Sequence, residues 1–274
     1  MGVPYAEVIG DPIAHSKSPL IHKFWLDKAG LDFDFRRTQV PGRQLSDFLR
    51  SRREDRDWRG CSVTIPHKEA ILGHLDECRM WGVQAVNCVV PQEGRLIGHN
   101  TDMTGIARAL AEGVETSAPV CLIGAGGAAR AAIAALDLLA VYQFRLIARD
   151  QAKARVLVEP YDAYGRVFGF DAADEAMSGC TGLINASPLG MEGFDPIPGQ
   201  VLDSLDSLGR DAFVFDMVYA PVRTELLRRA AALGLGCVDG LDMLVGQAEH
   251  AFQLLFGKPP PAGHDGELRE LLTR

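Results

Sequence analysis

Val120-Cys121-Leu122-Ile123-Gly124-Ala125-Gly126-Gly127-Ala128-Ala129-Arg130 decides how this chain is read. Four apolar residues, a glycine turn and an alanine-rich run predict a short buried strand followed by a helix to about Leu139. Gly124, Gly126 and Ala129 fit the G-x-G-x-x-G/A spacing of a dinucleotide fingerprint. The first glycine permits the turn, the second lets the backbone approach a pyrophosphate, and the small third residue lets helix and strand pack closely. Free N–H groups at the helix start, with the positive end of its dipole, suit phosphate. Glycine turns also follow strands for steric reasons alone, so the motif gains weight from its context. Residues 143–148 read as the next strand of a βαβ unit, and Arg149 follows where an adenosine ribose would lie.

The chain has 274 residues, 47% hydrophobic and 23% charged, as in ordinary soluble globular proteins with room for two modest domains. A net charge of −8 argues against a nucleic-acid partner. Arg50, Arg52, Arg53, Arg56 and Arg59 cluster but are interrupted by Glu54, Asp55 and Asp57, which predicts a solvated helix end and loop. Cys61, Cys78, Cys88, Cys121, Cys180 and Cys237 are scattered, with no C-x-x-C or paired-histidine spacing. No metal site is expected, and free thiols in a reducing compartment fit better than disulfides. The first strand begins at once, leaving no room for a signal peptide, and no uncharged apolar run approaches membrane-spanning length. The expected location is the cytoplasm, with no membrane association.

From the amino end, residues 6–10 predict a strand that ends at Asp11-Pro12-Ile13-Ala14-His15-Ser16-Lys17-Ser18-Pro19. Pro19 suits a first helical position and Ser18 the cap before it, with a helix to about Ala29. Ser16 has no such duty, so two hydroxyls at alternate positions are available to grip a carboxylate; Lys17 between them is expected to face solvent. Residues 33–40 read as a strand and 44–53 as a helix. A further strand runs into Pro66, and Lys68 opens a helix continuing to about Glu77. A lysine at a helix start opposes the macrodipole. It is either an incidental surface residue or a functional one. Residues 85–90 and 95–99 read as a hairpin joined by Gln92-Glu93-Gly94. Asn100-Thr101-Asp102 then precedes a helix over about 103–112. That is three polar residues where one cap suffices, and Asp102, like Lys68, follows a strand and opens a helix.

Beyond the glycine loop, residues 167–170, 182–185, 213–216 and 236–238 predict short buried strands alternating with helices such as 224–233. That is a parallel, doubly wound α/β pattern. Residues 240–256 read as one helix, in which Gln247 lies close to an apolar face. The last eleven residues predict an appended short helix with no assigned function.

Taken in order, Gly10-Asp11-Pro12-Ile13-Ala14-His15-Ser16-Lys17-Ser18-Pro19, Val63-Thr64-Ile65-Pro66-His67-Lys68, Asn100-Thr101-Asp102, the glycine loop, Asn185-Ala186-Ser187-Pro188-Leu189-Gly190-Met191, Asp216-Met217-Val218-Tyr219-Ala220-Pro221 and Gly240-Leu241-Asp242-Met243-Leu244 with Gln247 resemble the shikimate dehydrogenases over about residues 5–257. The resemblance implies two α/β domains with an active-site cleft between them: 1–102 plus 240–274 for substrate, and a Rossmann-type 103–239 for the dinucleotide. It implies reversible NADP-dependent reduction of 3-dehydroshikimate to shikimate in chorismate biosynthesis, by a monomer or homodimer.

By motif position, Lys68 and Asp102 resemble the catalytic pair. Ser16 and Ser18 resemble the carboxylate ligands, and Thr64, Asn87, Asp102 and Gln247 the partners of the ring hydroxyls, with Tyr219 also among the substrate ligands. Gly124, Ala125, Gly126, Gly127, Ala128, Arg149, Asp150, Ser187, Met217 and Gly240 resemble the cofactor ligands. Ser62 and Cys88 depart from the family, which often has Asn and Thr there, and both lie beside the substrate. Asp150 departs too: a hydroxyl often stands there, so an acid near a 2′-phosphate would narrow the preference for NADP over NAD unless it caps the following helix. An NAD-using quinate/shikimate dehydrogenase and a non-catalytic dinucleotide sensor are the alternatives; the presence of both Lys68 and Asp102 argues against the second.

Overall fold

The computed structural model of the chain describes residues 2–79, 83–110, 116–161 and 164–274. It divides into two units, Met1–Thr104 with Val245–Arg274, and Gly105–Leu244. The divisions fall at 104/105 and 244/245, where the family resemblance implied 102/103 and 239/240.

The first unit holds β1 (Tyr5–Gly10), α1 (Ser18–Ala29), β2 (Asp34–Gln39), α2 (Leu45–Arg53), β3 (Trp58–Val63), α3 (His67–Ala70), β4 (Glu77–Arg79), β5 (Cys88–Gln92), β6 (Arg95–His99) and the start of α4 (Asp102–Leu110). Its six-stranded sheet has the order β2-β1-β3-β5-β6-β4. β1 runs parallel to β2 and β3, while β5 is antiparallel to both β3 and β6. The carboxyl ends of β1, β3 and β6 and the amino end of β5 therefore lie at one edge, where Ser62 pairs with Cys88 and Cys88 with His99.

Every residue of β1 is buried, including Glu7 at 0% exposure. A buried carboxylate is tolerated only when paired and hydrogen-bonded. Arg52 Nε donates to Glu7 at 2.7 Å and Thr38 Oγ1 at 2.5 Å. Arg52 therefore departs from the expected solvated arginine run, and Arg53 bonds Asp76 at 2.7 Å.

The second unit carries β7 (Val120–Ile123), α5 (Gly127–Leu138), β8 (Phe144–Ile147), α6 (Gln151–Val158), β9 (Gly165–Phe168), α7 (Ala173–Met177), β10 (Gly182–Asn185), α8 (Gly199–Asp203), β11 (Phe213–Asp216), α9 (Glu225–Ala232) and β12 (Gly236–Val238). α10 (Gly240–Phe256) and α11 (Asp265–Thr273) end the chain. The sheet is parallel throughout, in the order β12-β11-β10-β7-β8-β9. Read from β9, this is the doubly wound dinucleotide-binding order, whose direction reverses between β7 and β10. β7 is solvent-free along its whole length, as a central strand covered on both faces must be. Cys121, Ile123, Leu183, Val201, Val214 and Leu226 belong to one core cluster of this unit.

Several local expectations are corrected. The helix opened by Lys68 is one turn, continued as a 3₁₀ turn over Ile71–His74, and residue 77 starts β4, paired with β6. Gly73 weakens a longer helix, and a partner strand supplies the pairing that residues 77–79 do not advertise. β5 begins at Cys88 because Val86 N–H is diverted to the Lys68 carbonyl at 2.8 Å. Ser18 does not cap α1: the helix starts at Ser18, its N-cap is Lys17, and no side chain caps it. Lys17 is tied down rather than free in solvent, its Nζ donating to the Leu272 carbonyl. β9 ends at Phe168 because Phe170 enters a 3₁₀ turn. α4 is described to Leu110, so its expected end near residue 112 lies outside the described residues.

Candidate active site

At the shared edge of the first sheet, Lys68 Nζ lies 2.5 Å from Asp102 Oδ2, with side-chain exposures of 18% and 5%. Lys68 is delivered by the turn after β3, where His67 N–H bonds the Thr64 carbonyl at 2.9 Å. The buried His67 ring nitrogen meets the Val40 carbonyl at 2.6 Å, anchoring this turn to the end of β2. Asp102 opens α4 after β6. Of the three polar residues there, Asn100 is the cap, its Oδ1 accepting from Met103 N–H at 3.1 Å. Thr101 and Asp102 are thereby released for other work.

Asn87, 3% exposed, joins these residues. Its Nδ2 donates to Asp102 Oδ1 at 2.8 Å and to Thr101 Oγ1 at 2.9 Å, while its Oδ1 accepts Thr101 N–H at 2.6 Å. An amide has two donor hydrogens, so Asn87 has spent both within the protein. It orients Asp102, and one acceptor lone pair remains for any other partner. Gln247 reaches the same cluster from α10, its Oε1 3.4 Å from Thr101 Oγ1 and 3.5 Å from Asn87 Nδ2. Lys68, Asp102, Asn87, Thr101 and Gln247 thus form one connected network. Thr101 is its one member that sequence reasoning left without a role; its signal was a place in Asn100-Thr101-Asp102, three polar residues where one cap suffices.

Ser16 and Ser18 are 6% and 7% exposed and lie in the stretch leaving β1, at the same sheet edge. Ser16 Oγ accepts weakly from Ser18 N–H at 3.4 Å, and Arg37 donates to the Ser16 carbonyl at 2.6 Å. Arg37 carries no sequence signal, being one of several charged residues on β2. Thr64 is half-buried, and a Cβ built at Gly10 would meet its methyl group at 2.7 Å. Glycine at position 10 is what lets the ends of β1 and β3 sit this close.

In the second unit, Gly124 has φ +114°, and a Cβ there would meet the Ala186 carbonyl at 2.9 Å. The loops after β7 and β10 therefore touch at the reversal point, the place where open α/β sheets bind ligands. Gly126 is the N-cap of α5, and no side chain caps that helix. A Cβ at Gly126 would find nothing within 4 Å, so open space faces the uncapped N–H groups of Gly127 and Ala128. Ala129 is fully buried behind them, and Ala125 is half-buried in the turn. This arrangement fits a pyrophosphate.

Arg149, at the end of β8, has an 82% exposed side chain and only a loose contact to Asp195 at 3.6 Å. Asp150 is the N-cap of α6, its Oδ1 accepting Lys153 N–H at 3.0 Å. Its carboxylate is thus committed to the helix. Ser187 Oγ donates to Asn185 Oδ1 at 2.7 Å. Asn185 also bonds the buried Asp216 at 2.9 Å, and Thr224 Oγ1 donates to Asp216 at 2.6 Å. Burial pushes the Asp216 carboxyl above its usual range, opposed by these hydrogen bonds. The network ties the loop bearing Ser187 to the one bearing Met217 and Tyr219. At Gly240 a Cβ would meet the Met217 carbonyl at 2.5 Å, a steric reason for glycine at that position.

Among the described residues no group of three or more His, Cys, Asp or Glu is arranged to hold a metal. No helix among them is long and apolar enough to cross a membrane.

Comparison with known proteins identifies the family of the chain. Residues 8–89 match the shikimate dehydrogenase substrate binding domain, and residues 240–264 the shikimate 5'-dehydrogenase C-terminal domain. The shikimate dehydrogenase (NADP(+)) of Sphingopyxis alaskensis is 48% identical over 98% of this chain and 97% of its own length. A crystal structure of shikimate 5-dehydrogenase from Listeria monocytogenes, in complex with shikimate and NAD, superposes with TM-score 0.87 at 30% identity, covering 98% of this chain and 96% of that one. The Thermus thermophilus enzyme, in complex with NADP(H) and shikimate, gives 0.83 at 34% identity, covering 98% of each chain. The chain belongs to the shikimate dehydrogenase family.

Proposed function

We propose that this chain is an NADP-dependent shikimate dehydrogenase, interconverting 3-dehydroshikimate and shikimate in aromatic amino-acid biosynthesis. The observation that carries the reading is the Lys68–Asp102 pair at 2.5 Å inside the network of buried Asn87 and Thr101 and half-buried Gln247. NADPH supplies the hydride when bound. Lys68 hydrogen-bonds the reacting oxygen, donates its proton as the carbonyl is reduced and accepts it in the reverse direction. Asp102 holds the ammonium in place and stabilises its charge. The Ser16 and Ser18 hydroxyls donate to the substrate carboxylate, Thr64, Asp102 and Gln247 orient the ring hydroxyls, and Tyr219 contacts substrate. Asn87 acts mainly by fixing Asp102, since its own donors are spent.

The glycine turn and the start of α5, from Gly124 to Ala128, hold the pyrophosphate, and Arg149 reads the 2′-phosphate with its planar fork. Ser187, Met217 and Gly240 shape the nicotinamide side. Asp150, held as a helix cap, leaves NADP preferred. All six cysteines are free thiols, which supports the cytoplasm as the compartment.

A second reading, a quinate/shikimate enzyme, draws on Ser62 and Cys88, which pair across β3 and β5 beside Thr64 and Asn87. Steady-state kinetics with shikimate and quinate, each against NADP and NAD, decides between them. The highest kcat/KM is expected for shikimate with NADP. A higher value for quinate with NAD overturns the assignment, and no turnover with any pair overturns the enzyme.

A further inference from the structure

α11 packs on α1. Leu268 and Leu272 bury its apolar side, Lys28 pairs with Glu267 at 2.7 Å, and the rings of Phe24 and His264 meet edge-on at 6.2 Å. Such contacts attach a terminal helix, but they do not explain the bond beside them. Lys17 Nζ donates to the carbonyl of Leu272, 255 residues away, in the last turn of α11. Carbonyls in a last helical turn have no intrahelical donor and sit at the negative end of the dipole, so a cation is a favourable partner.

Lys17 is also the N-cap of α1 and the residue between Ser16 and Ser18. Its own carbonyl accepts the N–H groups of Leu20 at 3.0 Å and Ile21 at 3.3 Å. On its other side, Arg37 holds the Ser16 carbonyl at 2.6 Å. The backbone that aims both hydroxyls is therefore clamped by one cation from β2 and by its own cation reaching α11.

We infer that Lys17 is a positioning residue for the Ser16/Ser18 pair, and that the carboxyl end of α11 is the anchor through which it acts. The inference rests on the reading of those serines as the carboxylate ligands. α11 then belongs to the substrate site without touching substrate: it fixes the backbone carrying the two hydroxyls before substrate arrives. Preorganisation of this kind lowers KM and leaves the proton-transfer step alone.

The test is steady-state kinetics of the full-length enzyme and the variants K17M, K17R, S16A, S18A, a chain lacking residues 271–274, and that shortened chain carrying K17M. K17M is expected to raise KM for shikimate about three- to tenfold, the scale of coupling between contacting residues, with kcat and KM for NADP unchanged. K17R, which keeps a cation able to reach the carbonyl, should restore most of it. Removing 271–274 should reproduce the K17M effect, and combining the two should add nothing. If S16A and S18A leave KM unchanged, the carboxylate reading fails and this inference with it. If they raise KM but K17M does not, the inference fails alone. A rise in K17M that the shortened chain does not share, or that adds to it, means Lys17 attracts substrate directly and also overturns it. Melting curves of the shortened chain show whether it is folded; should it be unfolded, failure of K17R to recover KM overturns the inference by itself.

Discussion

Asp102 has both carboxylate oxygens engaged: Oδ2 faces Lys68 Nζ at 2.5 Å and Oδ1 accepts from Asn87 at 2.8 Å. The aspartate is locked in one orientation and presents the ammonium beside it. Replacing Lys68 with Ala should therefore lower kcat far more than it raises KM, by roughly a hundred- to ten-thousand-fold, the usual contribution of a general acid–base group. Steady-state kinetics checks this; wild-type kcat in the variant would remove Lys68 from the chemistry.

Ser18→Ala separates binding from stability. The helix begins at Ser18 without a side-chain cap, so the ~1 kcal/mol normally lost with a serine cap should not appear in urea unfolding. KM for shikimate should still rise, by the loss of a hydrogen bond to a charged group worth about 1.5–3 kcal/mol. A stability loss with unchanged KM reverses this account.

The glycine loop offers a similar division. Gly124→Ala places a Cβ 2.9 Å from the Ala186 carbonyl at φ +114°, and should cost stability, about 1–3 kcal/mol of backbone strain. Gly126 has φ −102° and open space in front of it, so Gly126→Val should fold normally yet bind NADP much more weakly. Calorimetric titration of both variants reads the difference. Tight NADP binding by folded Gly126→Val would place the pyrophosphate elsewhere.

Arg149→Ala should reduce kcat/KM for NADP at least tenfold more than for NAD, the scale of a lost charge-assisted hydrogen bond. Asp150→Thr keeps a capping side chain and removes a charge that faces the start of α6, so it should shift the cofactor ratio less. Equal losses with both cofactors in the Arg149 variant show that its guanidinium does not read the 2′-phosphate.

His22 sets a pH dependence of stability. It is fully buried, stacked on Phe35 at 4.0 Å, with neither ring nitrogen hydrogen-bonded. Burial lowers its pKa to about 3 from the usual 6.5. The unfolded chain takes up this proton first, so the contribution is complete above pH 6.5 and is lost as pH falls towards 3. Between pH 7 and pH 5 the loss is roughly 2 kcal/mol. Urea unfolding at both pH values should show this difference in the wild type and a smaller one in His22→Leu. Identical differences in the two proteins would assign the effect to other groups.

The sequence by itself determined the parts of this protein built from local pattern. β7, β10 and β11 are short apolar runs buried on both faces, α10 carries a helical period, and Gly124, at φ +114°, marks a turn that other residues resist. The ordered motifs were legible for the same reason: all but the one on α10 are stretches following a strand, with their polar residues close together in the chain. Only the tertiary structure decided what depends on partners far along the chain. β4 is a strand because β6 lies beside it, and Glu7 is buried because Arg52 and Thr38 reach it. Asn87 spends its donors on residues 14 and 15 positions away, and Lys17 answers to a carbonyl 255 positions away. Periodicity and turn chemistry act within a few residues, whereas hydrogen-bond satisfaction in a buried site is settled by whichever groups the fold brings within about 3 Å.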